Sequence, residues 1–422
     1  MVVGAIRQAW RALPLPPAMR LRVHLTIHRV RFWVRSLRRR EEPVEMVRPD
    51  ASRIRPGDII LSGYLSDVNG IGRAGRLTEH ALSEWPAQVL THDLRDDNRG
   101  SRVAAATTSG GIWLCHCNPP EVLHFLTTGD PRIWRHRYRI GYWAYELQVI
   151  PESWMPAISF FHEIWAPSQF VANAIIAARR DNSTLVRVVP HPLPEYRGIT
   201  SNRTKFDTAG RFAFLAMFDT RSTAARKNPF GAVKAFQAAF SAEDSDVLLI
   251  VKVVFAADDR GTMARLKQMT SAWPNIRLVT EHLTDRETLE LMASIDCHIS
   301  LHRSEGFGLT IAEAMWLGIP VIATNWSAPV EFAEGAAILV PYTLVTAIDE
   351  NGRYGIAGEV WADPDLDFAA RAMRRLRADT SYRQTLGSTA RRQVIERLGN
   401  PILPDRHQQY LRRERRRQMA AE

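Results

Sequence analysis

The chain has 422 residues, enough for two or three domains that each bury a core. Its hydrophobic share of 45% and charged share of 24% are those of an ordinary soluble globular protein. No stretch approaches the roughly 20 consecutive apolar residues of a bilayer span, and the first forty residues lack the apolar run of a secretory leader. A cytoplasmic location is therefore expected. The formal net charge of +10 equals the ten arginines between Arg7 and Arg40, a stretch without a single acid, so the remainder of the chain is balanced. A second basic cluster, Arg412, Arg413, Arg415, Arg416 and Arg417, stands near the other end.

Residues 1–50 read as a basic extension. Val23, Ile27, Val30, Val34 and Leu37 fall at helical spacing with arginines between them, the pattern of a helix lying on an anionic membrane. A solvated helix or a disordered arm fits equally, and Leu21–Ile27 also alternates like a strand. A peripheral position on the inner face of the membrane is the expectation carried forward. Nothing resembles a nucleic-acid motif, so no nucleic acid is expected as a partner.

From about residue 55, short apolar runs alternate with amphipathic segments. Strands are predicted at Asp58–Leu65, Gly111–Cys117, 162–168 and Val186–Val189. The proline- and glycine-bearing stretch 190–210 breaks the pattern and reads as a linker. A second series follows, with strands at Phe212–Phe218, Val247–Val254, Ile276–Val279, Cys297–Leu301, Val321–Thr324 and Ala337–Val340. Helices are predicted at 228–240, 285–294 and 310–317, and the chain looks helical beyond 365. Such alternation argues for parallel α/β sheets covered by helices on both faces. The expected division is an N-terminal lobe at 51–200, a C-terminal lobe at 201–395 and a helical, basic tail at 396–422. Ligands of such lobes bind at the carboxyl ends of the strands. Cys115, Cys117 and Cys297 lie in strand-like runs whose spacing suits neither a disulfide framework nor a zinc module. Buried reduced thiols are expected, with no metal and no cofactor.

The richest segment is 298–332. An apolar run ends at Leu301, Glu305 follows, and the loop Gly306-Phe307-Gly308-Leu309 leads into a helix. Glycines let backbone N–H groups approach a ligand, and a helix start offers unpaired donors and a positive dipole end, a site for phosphate. Glu313, three residues after Thr310, fits a capping box and an ionised first-turn acid. Its helix is apolar nearly all round, so it equally fits a buried acid that needs a ligand hydroxyl pair. Glu305 has no evident capping role and is either a surface loop acid or a recognition residue.

With seven residues between its two glutamates, "SEGFGLTIAEAM" resembles the donor-site signature of the retaining glycosyltransferases of family four, the group 1 glycosyl transferases. Further pieces occur in that family's order across roughly 55–335: "NGIGRAGRL" (69–77), "HCNPPEVLHFL" (116–126), "IGYWAYELQVIPESW", "EIWAPSQFVANAI", and 217–240 with its basic residues. The resemblance implies a GT-B fold of two Rossmann-like lobes facing a cleft, with a nucleoside-diphosphate sugar as donor. It implies that Arg226 and Lys227 clamp the diphosphate, with Arg221 a further candidate because the family's arginine usually stands several residues before its lysine. It implies that Glu313 holds the ribose, that Glu305 bonds the donor sugar and that the N–H groups of Phe307, Gly308 and Leu309 face sugar or phosphate. Gly70 and Gly72 would approach the diphosphate from the other lobe, and His116 would sit beside the reacting carbon. By itself, His116 between two cysteines reads equally as a core residue, and Arg226 and Lys227 as a solvated helix start.

A retaining transfer to a glycan or lipid-linked acceptor, in cell-surface polysaccharide or glycolipid synthesis, is the function expected. Two other functions remain open: a nucleotide-sugar-binding protein without turnover, and a nucleotide-sugar epimerase. A glycosidase is disfavoured, because a phosphate-type loop has no purpose there.

Overall fold

The computed structural model describes residues 48–55, 57–83, 88–95, 103, 110–349, 352, 354, 356 and 358–399. The helical spacing predicted at Val23–Leu37 and the basic cluster at 412–417 lie outside the described residues.

In the first lobe the strands are β1 Ile59–Gly63, β2 Val89–Asp93, β3 Ile112–His116, β4 Tyr138–Tyr142, β5 Glu163–Ala166 and β6 Leu185–Val188. Its helices are α1 Gly70–Leu82, α2 Pro119–Thr128, α3 Met155–Phe160 and α4 Gln169–Ala178. The six strands form one parallel sheet in the order β2-β1-β3-β4-β5-β6. Ile59, Ile60 and Leu61 are buried on both faces of β1, as a continuous apolar run requires.

The second lobe repeats the plan. Its strands are β7 Phe212–Asp219, β8 Val247–Val254, β9 Ile276–Val279, β10 Cys297–Ser300, β11 Val321–Thr324 and β12 Ile338–Val340. They form a parallel sheet in the order β12-β11-β10-β7-β8-β9. Helices α5 Ala224–Lys227, α6 Pro229–Ala239, α7 Arg260–Thr270, α8 Asp285–Ala293, α9 Leu309–Trp316 and α10 Val330–Ala333 connect the strands. Then α11 Leu366–Ala378 and α12 Thr380–Leu398 close the described chain. These two sheets are the two Rossmann-like lobes of a GT-B fold.

The chain reverses its direction of progress across each sheet at one place, between β1 and β3 in the first lobe and between β7 and β10 in the second. The loops leaving those strands diverge there and open a crevice. Gly70, His116, Lys227 and Glu305 all follow or end one of these four strands. Topology, not proximity in sequence, therefore gathers the candidates.

Three features differ from the sequence expectation. Strand β4 carries Arg139, which the apolar pattern does not anticipate. Its guanidinium is buried over the Phe160 ring at 4.1 Å, with Nε donating to the Trp134 carbonyl at 3.3 Å. Strand β2 is only partly covered, so it lacks a strong apolar signal. Third, β13 Tyr342–Thr346 and β14 Val360–Pro364 form a separate antiparallel ribbon. Although it lies within the second lobe's stretch of sequence, Ala347, Tyr354 and Trp361 join the apolar cluster of Tyr145, Leu147 and Trp154 in the first. Residues 190–210 contain no helix or strand but are not loose, because Phe206 packs beside Leu215 and Ile250. All three cysteines are buried free thiols.

Helix α12 seats Ala390, Val394 and Leu398 against Ile311 and Met315 of α9. Gly387 permits this, since a Cβ there would collide with the Gly318 carbonyl. Gly387→Ala should therefore lower the melting temperature, the overpacking costing about 1–3 kcal/mol, with unchanged stability in a thermal scan as the contrary result.

Candidate active site

Lys227 ends α5, a single turn that Thr223 caps by accepting from the Arg226 N–H at 3.3 Å. Asn228 follows in the left-handed conformation (φ 50°) and caps α6 in turn, so the chain turns sharply at this point. The turn points Arg226 and Lys227 at the loop after β10. Lys227 Nζ donates to Glu305 Oε1. Arg226 is 2% exposed; its Nη1 donates to the Ser304 carbonyl at 2.7 Å and lies 3.3 Å from Glu305 Oε2. Its Nη2 lies 3.5 Å from Glu146 of the first lobe, and the Tyr354 ring stands 5.7 Å from the guanidinium. Arg226 and Lys227 are thus not a solvated helix start.

Glu305 is 7% exposed, which rules out the surface-acid alternative. Burial alone would raise its pKa, but Lys227, Arg226 and His302 override it and hold the carboxyl near about 2. Its backbone N–H donates to Ser327 Oγ at 2.9 Å, so the loop is fixed as well as the side chain. His302 is fully buried between Ser300 and the Trp326 carbonyl, and burial pushes its pKa down to about 4. It is a neighbour that the sequence reading did not single out.

The loop glycines have distinct tasks. At Gly306 a Cβ would sit 2.7 Å from the Tyr145 carbonyl, so glycine is needed for the lobes to meet. The Gly306 carbonyl accepts from Ser168 Oγ at 2.8 Å, again across the lobes. Gly308 adopts φ 88° and is the N-cap residue of α9, without any side-chain cap. The N–H groups of Phe307, Gly308 and Leu309 meet no acceptor among the described residues. They are the open donors expected of a helix start that receives an anion.

Glu313 requires a correction. Because α9 begins at Leu309, Glu313 is its fifth residue and stands beyond the first turn, where the dipole fades. There is no capping box with Thr310. Instead Glu313 is 3% exposed and takes its partners from elsewhere: Arg73 Nε and Nη2 at 2.9 and 2.7 Å, and Tyr196 Oη at 3.2 Å. Burial raises its pKa in spite of Arg73, whereas a first-turn place on the helix dipole would lower it.

From the first lobe, α1 reaches the seam after a cap in which Asn69 accepts from the Gly72 N–H at 2.9 Å. Gly70 has open space on its Cβ side, whereas at Gly72 a Cβ would strike the carbonyls of Asp67 and Tyr64. Gly72 is therefore glycine for the sake of its own loop. His116 ends β3, 3% exposed, with its ring 4.5 Å from Tyr142 and 5.6 Å from His191. Burial lowers its pKa to about 4, and neither ring nitrogen has a partner on another residue. His191 in turn stands 4.9 Å from the Phe307 ring, so a line of rings joins β3 to the glycine loop.

The structure thus draws Arg226, Lys227, Glu305, the 306–309 loop, Glu313, α1 and His116 to one seam between the lobes. Arg221 is not among them. It pairs with Asp258 at 2.7 Å and covers the Phe255 ring, with its side chain 40% exposed. Arg73, Glu146 and Tyr196 were missed. Arg73 and Glu146 lie inside two of the quoted segments, but only the contact across the lobes gives them meaning.

The depressed Glu305 carboxyl has a consequence for acid stability. A carboxylate whose folded pKa lies near about 2, against an ordinary 4.5, contributes stability above 4.5 that is lost as pH falls toward 2. The melting temperature of wild type minus that of Glu305→Gln should therefore shrink between pH 6 and pH 3. A difference constant with pH would contradict the assignment.

Residues 219–351 match the model of the family "Glycosyl transferases group 1". Among curated proteins, none matches the sequence. The fold is similar to that of Anabaena HepE in complex with UDP-glucose, with a TM-score of 0.57 at 15% identity over 81% of this chain and 95% of that one. It is similar to sucrose-phosphate synthase from Thermosynechococcus elongatus, with a TM-score of 0.59 at 16% identity over 87% and 100%. A third similar structure is a variant of S. aureus TarM in complex with Fondaparinux, alpha-GlcNAc-glycerol and UDP, with a TM-score of 0.50 at 12% identity over 68% and 52%. Residues 219–351, with Lys227, Glu305 and Glu313 among them, are thus similar to the group 1 glycosyl transferases, within a chain of GT-B fold.

Proposed function

We propose that this protein transfers a sugar from a nucleoside-diphosphate sugar to a glycan or lipid-linked acceptor, with retention of anomeric configuration, in the synthesis of cell-surface polysaccharide or glycolipid. The observation that carries this reading is the pairing of Lys227 and Arg226 on Glu305 beside the unpaired N–H groups of Phe307, Gly308 and Leu309. Fixed cations and open backbone donors converge where a diphosphate would gain charge as its bond to sugar breaks. The group 1 match and the UDP and UDP-glucose complexes of similar folds support a nucleotide-sugar donor.

In this reading Lys227 and Arg226 hold the diphosphate, Glu305 accepts from sugar hydroxyls and Glu313 accepts from the ribose. Gly70 leaves room for the donor from the opposite lobe. Glu305 suits an acceptor, not a general acid, because its carboxyl stays ionised far below neutral pH. A glycosidase acid needs the opposite shift. His116, neutral at physiological pH, offers two unpartnered ring nitrogens to sugar hydroxyls without adding positive charge beside an electron-poor carbon. The acceptor oxygen bonds to the anomeric carbon as the bond to the departing phosphate breaks, and a phosphate oxygen takes the acceptor's proton on the same face.

A thermal-shift screen of nucleotide sugars should find a donor, since a ligand bound only by the folded state raises its stability. With that donor, Lys227→Ala should lower kcat by about a hundredfold or more, and NMR should find the anomeric configuration of the donor kept in the product. An inverted product would exclude retention, and full activity in Lys227→Ala would exclude the diphosphate clamp.

The arginines between Arg7 and Arg40 support an anionic membrane surface as the place of work. A chain lacking residues 1–45 should fail to co-sediment with anionic vesicles that retain the full chain. Equal sedimentation of the two would remove the membrane role.

A further inference from the structure

Helix α1 meets the second lobe through two arginines. Arg73 and Tyr196 together place three donors on a single oxygen of Glu313, Oε1, while Oε2 meets no donor among the described residues. Arg73 Nη1 also pairs with Asp285, the first residue of α8, at 2.8 Å. Arg76, one turn along, grips Asp285 through Nε and Nη2 at 2.9 and 3.0 Å. Its Nη1 donates to the carbonyls of Leu65 and Asp67 at 2.8 and 2.7 Å, which ties the whole arrangement to the loop after β1. Arg73 is thus held between two acids of the second lobe while its helix belongs to the first. A carboxylate with one oxygen saturated and the other bare is a directional acceptor.

We propose that Arg73 is a positioning residue for donor binding. With Tyr196 it occupies Oε1 of Glu313 and aims Oε2 at the ribose hydroxyls, so the ribose site is complete only while α1 is docked on α9. The inference rests on reading Glu313 as the ribose-holding acid. By linkage, a ribose bound at Glu313 favours docked lobes as much as docked lobes favour ribose.

The test measures binding of UDP, GDP and ADP, and of their 2′,3′-dideoxy forms, by calorimetry with the full chain. Wild type is compared with Arg73→Ala, Arg73→Lys, Glu313→Gln and the Arg73→Ala/Glu313→Gln double variant. Arg73→Ala should weaken the best-bound ribonucleotide about tenfold or more, leave its dideoxy form unaffected, and add nothing to the loss caused by Glu313→Gln. Arg73→Lys keeps a charge but cannot fork, so it should show the same selective loss on a smaller scale. That variant decides the matter if the alanine chain does not fold. An equal loss on ribose and dideoxy forms, or additive losses in the double variant, would overturn the positioning role. Normal binding by Arg73→Ala, with wild type still preferring ribose, would overturn it and leave the ribose reading standing. A wild type that binds none of the six nucleotides would overturn both.

Discussion

Arg226 is a guanidinium at 2% exposure, and a charge so far from water is tolerated only where counter-charges and carbonyls surround it. Its partners come from three parts of the chain. Glu305 and the Ser304 carbonyl belong to the loop after β10, Glu146 to the first lobe, and Tyr354 to the segment between β13 and β14. The demand of one buried cation therefore fixes the loop, the lobe seam and the position of the ribbon together. Ser304 adds to this by donating to the Glu146 carbonyl, and Tyr354 by donating to Glu146 Oε2 at 2.8 Å.

The two glutamates of the signature stand in different electrostatic settings although both are buried. Glu305 is flanked by two cations of its own lobe, and its pKa falls. Glu313 has one cation, borrowed from the opposite lobe, and burial wins. An acid pinned by two cations remains an acceptor whatever the lobes do. An acid whose counter-charge sits on another lobe depends on how the lobes are docked. The difference arises from where the cations are anchored, not from the carboxyls themselves.

Glycine has a similar double meaning here. Gly306 and Gly308 look alike in sequence, yet Gly306 admits the Tyr145 backbone of the other lobe and Gly308 supplies a left-handed turn before α9. Gly72 serves the carbonyls of Tyr64 and Asp67, while Gly70 faces open space. A glycine-rich loop thus mixes glycines required by the fold with glycines that leave room.

The sequence by itself determined the two alternating series, the break at 190–210 and the segment 298–332, because buried parallel strands read as apolar runs and turns demand glycine and proline. The 306–309 loop was legible from its glycines and the helix start that follows them, while Lys227 and Glu305 became candidates through the resemblance to the group 1 glycosyl transferases. Tertiary structure alone decided what each side chain touches. It moved Arg221 out to Asp258, withdrew Glu313 from a capping box, and brought Arg73 and Glu146 to the seam. It also inserted Ala347, Tyr354 and Trp361 into the core of the first lobe. Arg73 and Glu313 lie 240 positions apart, and no periodicity or spacing rule extends so far. Such pairs are settled by the packing of one sheet's loops against another's, which exists only in the folded chain.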